Sequence, residues 1–151
     1  MVTIAKATII ENIHQTFYTL LNGITGFTGK IYPAYPDLSL DAESTKSSYP
    51  IFILNSPDVD SWENFTLSKL KVSGTISVDV FTTSAKTADE YTSDVIDKIE
   101  TSVANLRNDG LVFIKLSSMG KDQFQRGKLM IHNKNLGFSF EFRFDRSSLP
   151  W

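Results

Sequence analysis

The sequence contains no cysteine, which excludes a disulfide framework, a thiolate nucleophile and a cysteine-bound metal. Its two histidines, His14 and His132, stand in no motif typical of a hydrolase or a metal site. No apolar run approaches the roughly 18 residues of a membrane span, and Lys6 and Glu11 interrupt the segment where a signal peptide would be apolar. We therefore expect no enzymatic activity, no cofactor, no metal and no membrane contact. A small enzyme that uses either histidine is the alternative.

Two segments resemble ligand-binding motifs but depart from them in spacing. In residues 23–31, five residues separate Gly23 from Gly29, and Ile31 stands where a phosphate loop needs a magnesium-binding hydroxyl. The acidic residues of segment 58–63 lack the spacing of a calcium-binding loop. We expect a glycine-rich turn in the first segment and a solvated acidic loop in the second.

A group of basic residues near Phe124 would suit nucleic acid only if more aromatic side chains were interleaved with it. The group consists of Lys121, Arg126, Lys128 and Lys134. The whole chain is acidic, with a formal net charge of −2, and it carries no RNA-binding aromatic signature. We expect this group to face another protein or solvent.

The length of the chain predicts a single domain, residues 1–151. The 151 residues are 41% hydrophobic and 21% charged, which is ordinary for a globular protein.

Charge is unevenly distributed along the sequence. Residues 1–110 carry 8 basic and 14 acidic side chains, a net charge of −6, whereas residues 111–151 carry 7 basic and 3 acidic side chains, a net charge of +4. This asymmetry favours two electrically different faces, suited to head-to-tail contacts between copies. The alternative is that folding brings the charges back together.

The strongest pattern is an alternation of large apolar residues with small or charged ones over residues 136–144. The apolar set is Leu136, Phe138, Phe140, Phe142 and Phe144. On a strand, this set lies on one side and the intervening polar residues lie on the other. Burying the apolar set is worth on the order of 10 kcal/mol. The pattern therefore predicts a strand whose apolar face is covered by helices, with its other face in solvent or against another protein.

Periodicity and turn signals predict two helices among several strands. Residues 3–22 follow helical spacing with Thr3 as a cap, and residues 87–107 follow a capping box of Thr87 and Glu90. Strands are predicted at residues 30–35, 49–54, 70–81, 111–117, 128–132 and 136–144, with a turn at 133–135. We expect mobile loops at 37–48 and 58–69, a loop at 118–127 and a short tail at 146–151. This order predicts an α+β fold, a mostly antiparallel β-sheet with two α-helices packed on one face.

Aromatic residues in the polar segments are candidates for contacts with other proteins, because large aromatic side chains are common at interfaces. For contacts between copies of the chain we select the loop aromatics Trp62 and Phe65, together with Ser77 and Asp79 on the polar face of the predicted strand 70–81. For docking of a different partner we select Phe124, Arg126, Lys128 and Trp151. The alternative for the loop aromatics is that they fold back onto the core.

The order and character of these elements resemble a family of virion proteins. An amphipathic helix leads to the Tyr-Pro-flanked strand of residues 49–54 (YPIFIL). The long strand of residues 71–81 (KVSGTISVDVF) runs into the second helix, and alternating strands follow. Over residues 3–145 this layout is similar to that of the tail terminator proteins of long-tailed bacteriophages, which are also called tail completion or tail-to-head joining proteins.

The resemblance implies a structural function in the virion. Such a protein is made in the host cytoplasm and forms a ring, expected to be a hexamer, at the head-proximal end of the tail tube. It ends tube polymerisation and joins the tail to the head. The implied partners are other copies of the chain, the tail tube protein and a head-completion or connector protein, and DNA passes through the lumen without sequence recognition. The alternatives are another head–tail connector or minor tail protein of the same virion, or a non-viral protein-binding module.

Overall fold

The computed structural model describes residues 2–4, 9–32, 49–66, 69–107, 110–126 and 129–146. Within these ranges the chain forms two helices and seven strands, and the predicted α+β fold is confirmed. In chain order they are β1 (Val2–Ile4), α1 (Ile9–Asn22), β2 (Ile31–Tyr32), β3 (Ile51–Leu54), β4 (Asp58–Thr66), β5 (Lys69–Thr82), α2 (Ala85–Leu106), β6 (Leu111–Arg126) and β7 (Leu129–Arg146).

Strands β5 and β7 form the centre of the sheet. They pair antiparallel from Lys69 opposite Asp145 to Thr82 opposite His132. The outer edge of β5 is shared by β4 and β3, and the outer edge of β7 is shared by β6 and β1. Two pairs of strands are parallel, β1 with β7 and β2 with β3, so the sheet is mostly antiparallel as predicted. As a result, β4 and β6 lie at opposite edges of the sheet.

Both helices cover the same face of the sheet, where the alternating apolar residues of the central strands form the core. The buried residues of β5 and β7 include Leu70, Val72, Ile76, Val78, Val80, Leu136, Phe138, Phe140, Phe142 and Phe144. Phe17 of α1 contacts the rings of Phe140 and Phe142, with centroids 6.3 and 6.2 Å apart. Helix α2 lies against β5, β6 and β7. The alternation in the sequence thus identified the core strand correctly.

The glycine-rich turn after α1 carries an aromatic side chain back into the core. Phe27 stacks on Phe52 with ring centroids 3.7 Å apart, and Tyr91 of α2 packs edge-on against both rings. Gly26 and Gly29 have φ of 92° and 77°. Glycine adopts this left-handed conformation without steric cost, so the turn reverses the chain tightly after the helix.

The face opposite the helices is partly apolar, which corrects the expectation that it lies wholly in solvent or against a partner. Ile51 and Ile131 on this face are fully buried, and Ile53 is 6% exposed. They lie at the end of β5 where Phe81 contacts Phe124, with ring centroids 6.1 Å apart. Strand β3 contributes Ile51 and Ile53, and Ile131 lies near the start of β7. The alternation over residues 136–144 gave no sign of this apolar patch.

Both predicted helix starts are wrong. Helix α1 begins at Ile9, because Val2–Ile4 forms β1 beside β7, so Thr3 is a strand residue and caps no helix. Helix α2 begins at Ala85 and is capped by Ser84, whose Oγ accepts a hydrogen bond from the Thr87 backbone N–H at 3.5 Å. Ser84 has extended backbone dihedrals, as an N-cap requires, whereas Thr87 already lies in the first turn.

Three segments predicted as loops or turns are strands. Residues 58–66 form β4, residues 118–126 continue β6, and residues 133–135 lie within an unbroken β7. Their polar side chains gave no alternation, but backbone pairing to β5 or β7 imposes the extended conformation. The predicted loop at 37–48, the strand residues 33–35 and the tail from residue 147 onward lie outside the described residues.

Candidate protein-interaction edges

The described part of the chain offers no metal cluster and no membrane-spanning helix. No group of three or more His, Cys, Asp or Glu side chains within it is placed to hold a metal ion. Neither described helix is long and apolar enough to cross a membrane. His14 is half-buried and lies with Nε2 3.1 Å from the Leu54 carbonyl oxygen, so it links α1 to β3.

A surface cleft of about 480 Å³ lies between the start of α2 and the β6–β7 hairpin. Its lining includes Lys121, Asp122 and His132. Lys134 Nζ, also in the lining, lies 3.0 Å from Asp89 Oδ1 of α2. The cleft therefore mixes both signs of charge, and part of the predicted basic group is neutralised by an acidic residue of the helix.

Ser77 and Asp79, two of the predicted contacts between copies, belong to a hydrogen-bond network within the chain. Asn55 Nδ2 donates to Ser77 Oγ at 2.8 Å and lies 3.0 Å from Asp79 Oδ2. Asn135 Nδ2 donates to Asp79 Oδ1 at 2.7 Å. The network ties β3, β5 and β7 together on the face opposite the helices, and a role for these two residues between copies stays a prediction.

One edge of the sheet is formed by β4, which is acidic and has no strand on its outer side among the described residues. Asp58 and Asp60 are exposed, and Glu63 pairs with Lys71 at 3.6 Å. Trp62, the predicted contact residue, is 36% exposed at this edge. Phe65 lies in the same strand, but its side chain is outside the described set.

A β-bulge in β4 brings its backbone unusually close to β5. The pairing register shifts between Val59 and Ser61, opposite Gly74. A Cβ added at Gly74 would lie 2.0 Å from the Asp58 carbonyl oxygen, a distance that no side chain tolerates. The glycine therefore permits the close approach at the bulge, beside the exposed Asp58 and Asp60.

The opposite edge is formed by β6, which is basic and apolar. Lys115 and Lys121 are exposed, and no strand pairs with the outer side of β6 within the described ranges. Its exposed large apolar residues are Val112, Phe113, Met119 and Phe124. Phe124 is 36% exposed, with one side against Phe81. Arg126 ends β6, its side chain lies outside the described set, and Lys128 and Trp151 lie outside the described residues.

Of the exposed apolar residues of β6, the choice of contact residues included Phe124 but missed Val112, Phe113 and Met119. Residues 111–117 combine apolar side chains on both faces of the strand, which is usual for a strand buried inside a sheet. Because β6 is an edge strand, Val112 and Phe113 are instead 37% and 50% exposed. Apolar side chains on both faces of an edge strand were the signal that could have identified this surface.

Comparison with known proteins finds a solved structure with a similar fold. No family model matches the sequence, and no curated protein matches it. The structure is similar to a chain of the solved structure "Virion of native gene transfer agent (GTA) particle", with a TM-score of 0.62 and 14% sequence identity. The similarity covers 89% of this chain and 98% of the other. The two chains share a fold.

Proposed function

We propose that this chain is a non-enzymatic structural protein of a phage-like virion that forms a ring at the head-proximal end of the tail tube. The ring ends tube polymerisation and joins the tail to the head. The observation that carries the proposal is the shared fold with a chain of a gene transfer agent virion, over nearly the full length of both chains. The position within the tail rests on the element order that resembles tail terminators.

Two sheet edges that no other described strand covers support assembly into a ring. Strands β4 and β6 lie on opposite sides of the sheet and differ in charge. A contact between two unlike surfaces of identical copies is heterologous, and it generates a closed ring when the rotation between copies closes. A closed heterologous ring has two different ends, which suits a protein that contacts the tube with one end and the head with the other.

The mass of the purified assembly tests the ring. We expect native mass spectrometry to give one closed species of fixed copy number, a hexamer, and negative-stain images to show rings. With purified tail tube protein, we expect the ring at one end of each tube and tubes that no longer elongate. A monomer at high protein concentration, both with and without tube protein, would contradict the proposal.

Another position in the same virion is the second candidate. The similarity to a chain of the virion is one of fold, and a fold alone does not give a position within the particle. A head–tail connector or a minor tail protein with the same fold would be equally similar to that chain. Imaging of particles with the chain labelled at its C-terminus distinguishes the candidates, since a tail terminator is expected between tube and head and nowhere else.

A further inference from the structure

We propose that the free edge of β6 in one copy pairs antiparallel with the free edge of β4 in the next copy, so that the sheet continues across the subunit boundary. The inference rests on the proposed ring and specifies its contact surface.

Strand direction makes this contact a natural continuation of the sheet. Strand β4 is antiparallel to β5, β5 to β7, and β7 to β6. Directions therefore alternate from one edge to the other, and β4 of a following copy in the same orientation runs antiparallel to β6. The joint has the same hydrogen-bond geometry as the pairs within the subunit. It also gives partners to the outward N–H and C=O groups of two exposed edges.

Edge charge favours unlike edges over like ones. Strand β4 carries three acidic side chains, Asp58, Asp60 and Glu63, and no basic one. Strand β6 carries three basic side chains, including Lys115 and Lys121, and one acidic one. Two β4 edges or two β6 edges would bring like charges together, whereas β6 against β4 brings opposite charges together. The charges therefore favour a heterologous contact over a two-fold dimer.

Register places one opposite-charge pair at the joint. Asp58 lies opposite Thr75, Thr75 opposite Ser139, and Ser139 opposite Lys115, so the acidic and basic residues occupy one row and one face of the sheet. With no shift along the strands, Lys115 of one copy lies opposite Asp58 of the next. A shift of two residues preserves the faces, and strands that tilt in a closed sheet produce such shifts.

An exposed aromatic side chain lies near this pair on each face of the joint. Phe113 lies two residues before Lys115 on β6 and is 50% exposed. In the same register Phe113 lies opposite Ser61 of the next copy, on the face opposite the helices. Trp62 follows on the helix side of β4, opposite Val72, and is 36% exposed. Covering these rings would add apolar burial to the backbone pairing, as the centre of a protein interface does.

Engineered cysteines test the contact directly, because the natural chain has none. The variant combines Asp58→Cys with Lys115→Cys. Within one chain these positions are separated by three strand spacings, about 14 Å, far beyond the roughly 4 Å between Cβ atoms in a disulfide. A disulfide therefore reports contact between copies. We expect mild oxidation to give a ladder of covalent oligomers up to the ring size, which reduction removes.

Matched variants make the result decisive. Phe113→Cys or Ser118→Cys in place of Lys115→Cys samples a shift in either direction, and Asp58→Cys with Lys86→Cys on α2 is the negative control. Cross-linking of any of the three edge pairs, with none in the control or the single variants, supports the inference. Intact rings without an edge cross-link overturn it and leave the proposed function standing. Dimers from a single-cysteine variant also overturn it, and the absence of both rings and cross-links contradicts both proposals.

A charge exchange gives an independent measurement. Both Asp58 and Lys115 are exposed, so neither substitution removes a buried contact within the subunit. Asp58→Lys or Lys115→Asp alone is expected to weaken ring assembly about tenfold, and the double variant is expected to restore it. Lys86→Asp on α2 serves as the control and leaves assembly unchanged. Additive losses in the double variant, with each subunit folded by circular dichroism, would show that the two side chains do not meet.

Discussion

The two faces of the central sheet are stabilised by different interactions, apolar burial on one and polar side-chain contacts on the other. On the helix face, phenylalanines and aliphatic side chains of β5 and β7 are almost completely buried. On the opposite face, polar side chains stay half-buried and satisfy one another, as Asp79 does with Asn55 and Asn135, and as Lys69 does with Asp145. The contrast indicates that apolar burial supplies most of the folding free energy, while the polar face fixes strand alignment and leaves the edges for contacts.

The largest difference in the free energy of unfolding is expected between substitutions at two adjacent residues of β7, one on each face of the sheet. Phe142 is fully buried against Phe17 and Phe140, so Phe142→Ala is expected to lower the free energy of unfolding by about 3–5 kcal/mol. Glu141, on the other face, forms a 2.9 Å pair with Arg143, and Glu141→Ala is expected to cost less than about 1 kcal/mol. Urea denaturation of both variants measures the difference, and equal losses would break the comparison.

A smaller effect is expected where β4 approaches β5. Gly74→Ala places a methyl group 2.0 Å from a backbone oxygen of β4. We expect a loss of about 1–3 kcal/mol and faster amide exchange in β4, because the edge strand must move away. Gly120→Ala in β6 meets no atom within 4 Å and is the matched control, expected within about 0.5 kcal/mol of the natural chain. Unchanged exchange in β4 would show that the bulge tolerates a side chain.

The hydrogen-bond network tests how firmly the polar face is held. Asp79→Ala leaves the Nδ2 groups of Asn55 and Asn135 without their carboxylate acceptor, at an expected cost of about 1–3 kcal/mol. Asp79→Asn retains one acceptor oxygen and is expected to lose less. Thermal and urea unfolding provide the measurement. If both variants are as stable as the natural chain, water satisfies these groups and the polar face is less ordered than described.

The smallest effect concerns the cap of the helix that covers the apolar face. Ser84→Ala removes the acceptor for the Thr87 N–H and is expected to cost about 1 kcal/mol. Thr87→Ala leaves that hydrogen bond in place, since its donor is the backbone, and is expected to change stability by only a few tenths of a kcal/mol. Urea midpoints of the two variants rank them. The reverse order would place the cap at Thr87.

The sequence predicted the interior of the fold better than its edges. Strands β5 and β7 alternate large apolar residues with polar ones, and this pattern is imposed by burial on one face. Residues 58–66 show no such alternation, because an edge strand is held by backbone pairing, which any side chain permits. The start of α2 was also predicted wrongly. Thr87 and Glu90 have the spacing of a capping box, but the backbone is already helical at Thr87 and is extended at Ser84, which is the cap.

The predicted contact residues fall into two groups, those that the structure leaves exposed and those that it holds in hydrogen bonds within the chain. Trp62 and Phe124 were chosen as aromatic residues in polar surroundings, and both lie at least one-third exposed on opposite edges. Ser77 and Asp79 were chosen from alternation alone, which cannot reveal that Asn55, directly after β3, and Asn135 of β7 satisfy them. Whether such a side chain is exposed depends on which strands lie beside it. Those strands are distant in the sequence, so a local pattern does not reveal them.

Strand β7 follows every other described element along the chain and pairs with β1, β5 and β6. During synthesis, β1, β5 and β6 leave the ribosome before β7, so none of them can form its pairing with β7 until β7 has emerged. Pairing between strands that are distant in the sequence, such as β1 with β7, is also slow because the entropy of loop closure opposes it. A partly synthesised subunit cannot present a finished β6 edge, so the order of elements delays self-association until the whole sheet exists.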